Sequence, residues 1–324
     1  MKNTGRFFKI IEMLVIVIML LVCAVGCNTP GTGDSANTPE ATPVTTPEPT
    51  EEPSTVSITI SYETKKGEVI ASATGVGSAT LEVGEAFARN NVIKVTLSDN
   101  QKYMWFNFDR NLEDALIYCE DSTFTYKFDT KTAQYFPPSL VIGGNGQAIN
   151  PKIQVRIPTQ KELNTSRNIA VNPYDQTKAE GVFPHASTNS VHASTGEWDA
   201  RNAIDGFKKG GGHGTYPYQS WGPEFSNKDM YWQVDFGKEV KVSGIGIAVR
   251  SDFDHDTPFS QVTVEFSDGS THVATLTKTA DVQQITFDSE VTTSSIKIKD
   301  FVKASGGQGW TGFMEVEVYG VYGA

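Results

Sequence analysis

The chain has 324 residues, room for about two domains, and a formal net charge of −11. A leader of residues 1–26 carries Lys2, Arg6, Lys9 and Glu12, a net +2, so its removal leaves −11 − 2 = −13. That acidity argues against nucleic acid as a partner, because phosphate binding needs clustered Lys and Arg, and against electrostatic attachment to anionic lipid. Of the three cysteines, Cys23 and Cys27 lie in or beside the leader. Only Cys119 remains in the folded part, so neither an internal disulfide nor a CxxC-type zinc site is expected there.

Residues 1–26 open with a basic region, followed by an apolar run from Met13 to Val25, the layout of a secretory signal. Ala24-Val25-Gly26-Cys27 resembles the bacterial lipobox. The resemblance implies cleavage after Gly26 and lipidation of Cys27, which places the chain on the extracellular face of a bacterial cell membrane. An uncleaved membrane anchor is the alternative; both readings tether the chain outside the cytoplasm. Residues 27–55 are rich in Pro, Thr and Glu, with prolines at 39, 43, 47, 49 and 53, and carry too little apolar surface to pack a core. An extended spacer is predicted, advancing about 3.1 Å per residue.

Residues 56–160 alternate in short runs: Val56-Ile58-Ile60-Tyr62, Val95-Leu97, Tyr103-Trp105, Phe124-Tyr126-Phe128 and Ile153-Val155-Ile157. Turn residues separate them, and six to eight short strands fit an immunoglobulin-like β-sandwich. No catalytic constellation appears in it. Tyr103, Trp105, Phe106 and Phe108 are read as core, with a sugar platform as the alternative. Cys119, in an apolar run followed by Glu120 and Asp121, is read as a buried, unreactive thiol.

Residues 161–324 form the second predicted domain, with 161–184 as its polar approach. Trp232, Val234 and Phe236 share one strand face; Ile245, Ile247 and Val249, and then Val262, Val264 and Phe266, repeat the pattern. Ser267-Asp268-Gly269-Ser270 is a hairpin signal. Ile285-Phe287, Ile296-Ile298 and Met314-Val316-Val318 complete about eight strands, and a jelly roll is the expected architecture. The chain is thus predicted to be all-β throughout.

Five stretches in order, ASTNSVHASTGEWDARNAIDG, SWG, YWQVDFGKEVKVSGIGI, QVTVEFSDGS and MEVEVYG, resemble the discoidin, or coagulation factor 5/8 type C, modules. In bacteria these look like the family 32 carbohydrate-binding modules. The resemblance covers about residues 167–321 and implies an eight-stranded, galactose-binding-like jelly roll with its ligand in loops at one end. It also implies a structural calcium ion on Asp205 and Glu315, completed by backbone carbonyls near Asn202 and Lys208; oxygen-only ligation suits that hard cation. Lys208 and Lys209 would weaken such a site. The alternative is that Asp205 caps a turn and Glu315 lies on a solvated face.

Sugar recognition needs an aromatic face for the C–H side of the ring and planar or forked donors for its hydroxyls. The residues expected to supply them are His213 and Tyr216 in the glycine-rich loop, Arg250, Asp252 and His255 after the Ile245–Val249 strand, and Trp310 in GGQGWTG. The alternative reading has Tyr218 and Trp310 in the core and Arg250 paired with Asp252 on the surface. Asp252, Asp254 and Asp256 do not form an EF-hand, because the sixth position is Thr257 and the twelfth Thr263. Neither HExxH nor GxSxG occurs. The expected function is therefore non-catalytic glycan binding by a surface lipoprotein. An adhesin or protein-interaction role, or an enzyme with an unrecognised site, is the alternative.

Overall fold

The computed structural model describes residues 52–109, 112–128, 151–193, 196–208, 220–305 and 309–323. The leader, Cys27, most of the spacer, and the glycine-rich loop with His213, Tyr216 and Tyr218 lie outside them.

Alternation builds the first sandwich. Strand β1 (Ser57–Glu63) buries Ile58, Ile60 and Tyr62, and β4 (Val92–Leu97) buries Ile93, Val95 and Leu97. With β2 (Val69–Val76) and β7 (Thr123–Lys127) they form one sheet of order β2-β1-β4-β7. The facing sheet contains β3 (Ser78–Glu82), β5 (Tyr103–Asn107), β6 (Ala115–Cys119) and β8 (Lys152–Arg156). Its order is β10-β6-β5-β8-β3, where β10 (Val182–Phe183) comes from beyond residue 161. A core of Phe87, Phe106, Phe108, Tyr126 and Phe128 packs between the two sheets in stacked and edge-on pairs. Cys119 is buried in it, and burial pushes its thiol up to about 12, as expected of an unreactive cysteine.

A short helix α1 (Gln160–Leu163) follows, closed by a capping box in which Thr159 Oγ1 accepts from Glu162 N–H and Glu162 accepts from Thr159 N–H. The second sandwich is a single, strongly bent sheet of β9 (Arg167–Asn168), β11 (His185–Thr188), β12 (Trp232–Val249), β13 (Phe259–Phe266), β14 (Thr271–Thr275), β15 (Gln283–Lys303) and β16 (Phe313–Val321). Runs that alternation suggests as separate strands, 232–236 with 245–249 and 285–287 with 296–298, continue here as one. Strand β12 has 18 residues and β15 has 21, and they pair antiparallel through shifts in register after Asp235 and Val242. Such shifts bend a strand and let it pass from one layer to the other. Gly237, at φ +70°, sits at one of these bends, and a Cβ there would lie 2.3 Å from the Phe183 ring. Trp221, Trp232, Phe236, Phe259 and Phe313 fill the core.

The chain from Thr50 onward is one compact unit, and the two cores exchange residues. Tyr174 is buried in the first core, against Phe106 and Phe108. Leu116 joins the second core, with Tyr103 and Trp105 packed against it. The outward parity of β5 explains why Tyr103 and Trp105 meet the second sandwich while Met104 and Phe106 face inward. Tyr322 Oη donates to the carbonyl oxygens of Leu116 and Ile169, each at 3.1 Å. Burying one Leu-sized side chain contributes about 1.5–3 kcal/mol, so this joint carries a substantial share of the stability.

Candidate functional site

The loops that lead out of β11 and β12 and into β16 converge. Arg250, directly after β12, is only 3% exposed. Its Nε donates to Asp256 Oδ1 at 2.9 Å, and Asp256 Oδ2 accepts from Phe253 N–H at 3.1 Å. This buried pair folds the segment from Ser251 to Thr257 back on itself. The partner of Arg250 is therefore Asp256, not Asp252, and the pair is buried rather than superficial. Asp252 is exposed. His255 is also exposed, with its ring stacked on Phe253 at 5.6 Å.

The folded-back loop grips Trp310 by its backbone. Trp310 N–H donates to His255 O at 3.0 Å, and Thr257 N–H donates to Trp310 O at 2.7 Å. A Cβ at Gly309 would lie 1.5 Å from His255 O, and one at Gly312 would lie 2.0 Å from Trp221 O. The glycines around Trp310 thus exist to let three backbones touch. The ring itself is 44% exposed, which excludes the core placement.

Beneath and beside it lie residues the sequence reading passed over. Trp198 is parallel to Trp310, at 5.8 Å between centroids and 6° between planes. His192 stands edge-on to Trp310 at 4.3 Å and to Trp198 at 5.9 Å. The guanidinium of Arg250 lies 4.9 Å from the Trp198 ring centroid, a cation–π contact that seats the ring from within. A Cβ at Gly222 would meet the Trp198 ring at 2.4 Å, so glycine there admits the indole. Next to this shelf is a pocket of about 310 Å³, lined by His192, Glu224, Phe225, Lys303, Trp310 and Thr311 among others. Lys303 Nζ donates to Gly309 O at 2.6 Å and lies 4.8 Å from the Phe225 ring centroid. The pocket therefore offers an exposed aromatic face ringed by an imidazole, a carboxylate and an ammonium. Of the expected ligand residues, Arg250, His255 and Trp310 are brought together; Asp252 is in the same loop but in none of these contacts. Trp198 and His192 carried only a weak signal, as aromatic residues in predicted loops.

The second candidate centre lies where Ala-Ile-Asp-Gly meets β16. A 3-10 turn (Ala200–Ala203) leads to Asp205, whose Oδ1 accepts from Phe207 N–H at 2.9 Å. Gly206 N–H donates to both carboxylate oxygens of Glu315, at 3.2 and 3.3 Å. Glu315 is fully buried and Glu317 is only 3% exposed, so neither occupies a solvated face. Burial pushes the carboxyls of Asp205 and Glu315 well above the usual carboxylate range, and the charge of Asp205 raises Glu315 further. Lys208 Nζ pairs with Glu317 Oε1 at 2.5 Å, which directs that ammonium to the neighbouring carboxylate. Among the described residues no cluster of three or more His, Cys, Asp or Glu surrounds this point. A buried and a half-buried carboxylate that repel each other nevertheless form a donor set of the kind that a hard cation stabilises, with backbone carbonyls as the remaining oxygens.

Three solved structures illustrate the similarity of the second sandwich to other proteins. The family 32 carbohydrate-binding module of C. perfringens NanJ, solved with galactose, is 25% identical, with 41% of this chain and 91% of that chain covered and a TM-score of 0.32. Chitosan-binding module 1 of a chitosanase/glucanase from Paenibacillus sp. IK-5 is 18% identical over 48% of this chain and all of that chain, at a TM-score of 0.33. A Streptococcus pneumoniae fucose-binding module is 16% identical over 47% of this chain and 97% of that chain, at a TM-score of 0.32. No curated protein matches the chain. Residues 185–316, the stretch holding the Trp310 shelf and Glu315, match the F5/8 type C domain family.

Proposed function

We propose that this chain is a non-catalytic, carbohydrate-binding lipoprotein, anchored through Cys27 on the extracellular face of a bacterial membrane. The observation that carries the binding role is the exposed Trp310 ring, fixed by Gly309, Gly312 and the Arg250–Asp256 pair beside a polar pocket. A pyranose would lay its C–H face on that ring. His192, Glu224 and Lys303 would meet its hydroxyls. Glu224 is the sole carboxylate lining the pocket among the described residues, whereas most glycoside hydrolysis uses two, which supports retention over turnover. Membership of the second sandwich in the F5/8 type C pattern supports ligand capture by loops at this end. We further propose that Asp205 and Glu315 hold a calcium ion, which would supply structural support to the loops and take no part in sugar chemistry.

The test is a glycan array probed with residues 28–324, not 161–324, because removing the first sandwich would strip Tyr174 and Tyr322 of their packing. Trp310→Ala should lose retention, while its unfolding midpoint stays within about 0.5 kcal/mol of the parent, as befits a half-exposed side chain. Retention unchanged in Trp310→Ala would place the sugar elsewhere. For the anchor, Cys27→Ser should accumulate as an uncleaved precursor that keeps its apolar leader, and an unchanged level of mature chain in the membrane fraction would set the lipid anchor aside.

A further inference from the structure

We propose that cation binding at Asp205 and Glu315 is coupled to the docking of the first sandwich, through the turn of residues 204–208. The inference rests on the calcium site proposed above and gives residues outside the second sandwich a part in it. One side of the turn meets the carboxylates. Phe207 N–H donates to Asp205 Oδ1, and Gly206 N–H donates to both oxygens of Glu315. The other side is tied to the first sandwich at three points. First, the Phe207 side chain packs against the first core. Second, Glu113, in the connection from β5 to β6, lies against the Gly206 backbone. A Cβ on Gly206 would stand 3.4 Å from the Glu113 carboxyl carbon and 3.5 Å from its Oε1. Gly206 holds φ +88°, the left-handed region that favours glycine, so it reaches Glu315 with its N–H while its Cα is turned to Glu113. Third, the buried Asn172 donates its backbone N–H to Ile204 O at 2.7 Å, and its Oδ1 accepts from Tyr174 N–H at 3.2 Å. Tyr174 carries that path into the first core, against Phe106 and Phe108.

Elementary electrostatics gives the coupling its sign. Without a cation the two carboxylate charges oppose each other, and the turn that joins them bears the repulsion. A cation removes it and fixes the turn, and with the turn the seat of Phe207 and the acceptor of the Asn172 N–H. By linkage, a first sandwich that already holds the turn spares the cation the cost of ordering it, so affinity rises by the same factor. Glu113 acts in the same direction through its charge. The Lys208 ammonium is raised by its hydrogen bond to Glu317 and further by the charge of Glu113, so Glu113 is close enough to act on charges in this turn.

The probe is calcium itself. Residues 28–324 would be titrated with calcium chloride in a calorimeter, as the parent, Phe207→Ala and Glu113→Gln. Phe207→Ala keeps the N–H that Asp205 accepts and removes only the contact with the first core. Its Kd should rise about tenfold, within the usual range for coupled sites. Glu113→Gln should raise Kd about twofold, as befits an exposed charge, and high salt should abolish that difference. Should Phe207→Ala not fold, Phe207→Leu takes its place. Amide hydrogen exchange gives a second readout. At saturating calcium the N–H groups of Leu112, Asn172 and Tyr174 should gain protection in the parent, and less of it in the Phe207 variant. A parent that binds no calcium would overturn the cation site and the coupling together. A Kd unchanged in the Phe207 variant, or no gain in protection at Leu112, Asn172 and Tyr174 in the parent, would overturn the coupling alone and leave the cation site standing.

Discussion

Within the second sandwich two pairs of charged side chains are withdrawn from water, one fully and one in part, with opposite consequences. Arg250 and Asp256 are unlike charges, each hydrogen-bonded, and together they fix a loop and the tryptophan above it. Asp205 and Glu315 are like charges, held close by the backbone of Gly206 and Phe207 and raised in pKa by burial. The first pair completes itself and so acts as scaffolding. The second is left with a net demand for positive charge that protons or a cation must meet. The lesson is that burial alone does not separate structural from ligand-binding charges; the sign of the neighbour does.

The largest effect is expected from breaking the complete pair. Asp256→Ala leaves the Arg250 guanidinium buried and unpaired, and denaturant unfolding should show a loss of about 3–5 kcal/mol. Glycan retention should fall with it, because the backbone grip on Trp310 depends on the folded-back loop. Replacing both partners, Arg250→Met with Asp256→Leu, should recover much of the stability but not the retention. If the single variant is as stable as the parent, the pair is not the scaffold claimed for it.

Next in size is the incomplete pair. Calcium that binds only the folded chain should raise its unfolding free energy by about 2.7 kcal/mol at a hundredfold excess over Kd. Chelator should reverse the rise. Glu315→Gln relieves the repulsion without changing shape, so without calcium this variant should melt above the parent, and added calcium should no longer shift it. Identical melting of parent and variant in chelator and in calcium would remove the ion from the account.

The smallest effect belongs to a third ionic contact, between a buried Asp175 and a partly exposed His185. His185 Nδ1 lies 2.8 Å from Asp175 Oδ1, while Asp175 Oδ2 accepts from Ala186 N–H. Burial pulls the imidazole pKa down, but the hydrogen bond and charge of Asp175, helped by Asp235, outweigh it, and the net displacement is upward. A histidine raised on folding binds its proton more tightly in the native state. Its contribution is therefore complete below about pH 6.5, the unfolded value, and is lost as pH rises through the folded one. Thermal midpoints measured across that window should fall with rising pH, and His185→Gln should flatten the slope. A parent protein whose midpoint climbs through the same window would contradict this sign.

Much of the fold was legible because strand periodicity is two. Trp232, Val234 and Phe236, and later Val262, Val264 and Phe266, are all buried as their alternation requires. Alternation reads 232–236 and 245–249 as two strands, yet β12 runs through both, since a bulge at Gly237 bends the strand without ending it. Nothing local announces that Val182 and Phe183 pair with Cys119 and Tyr118, because a two-residue strand has no period to detect. At the site, Trp310 was conspicuous among its glycines, whereas the partner of Arg250 was not. Three aspartates follow Arg250 at two-residue intervals, and only the folded loop selects Asp256 over Asp252. His192 and Trp198 lie more than 50 residues from Arg250 along the chain, a separation over which no spacing rule operates.

The clasp made by Tyr322 has a mechanical meaning. Strand β16 begins just after Trp310 and ends just before Tyr322, whose hydroxyl holds the carbonyl of Leu116 in the first sandwich. Tension from a glycan caught on Trp310 would enter β16 along its axis and reach the first sandwich through that clasp. It would load the β12–β16 ladder in shear, and the segment from Leu163 to Ile169 would share the pull, because β9 pairs with β16 and Tyr322 also bonds to Leu163 and Ile169. Under the proposed anchoring and glycan capture, that geometry would favour a long-lived hold under flow over one that peels away.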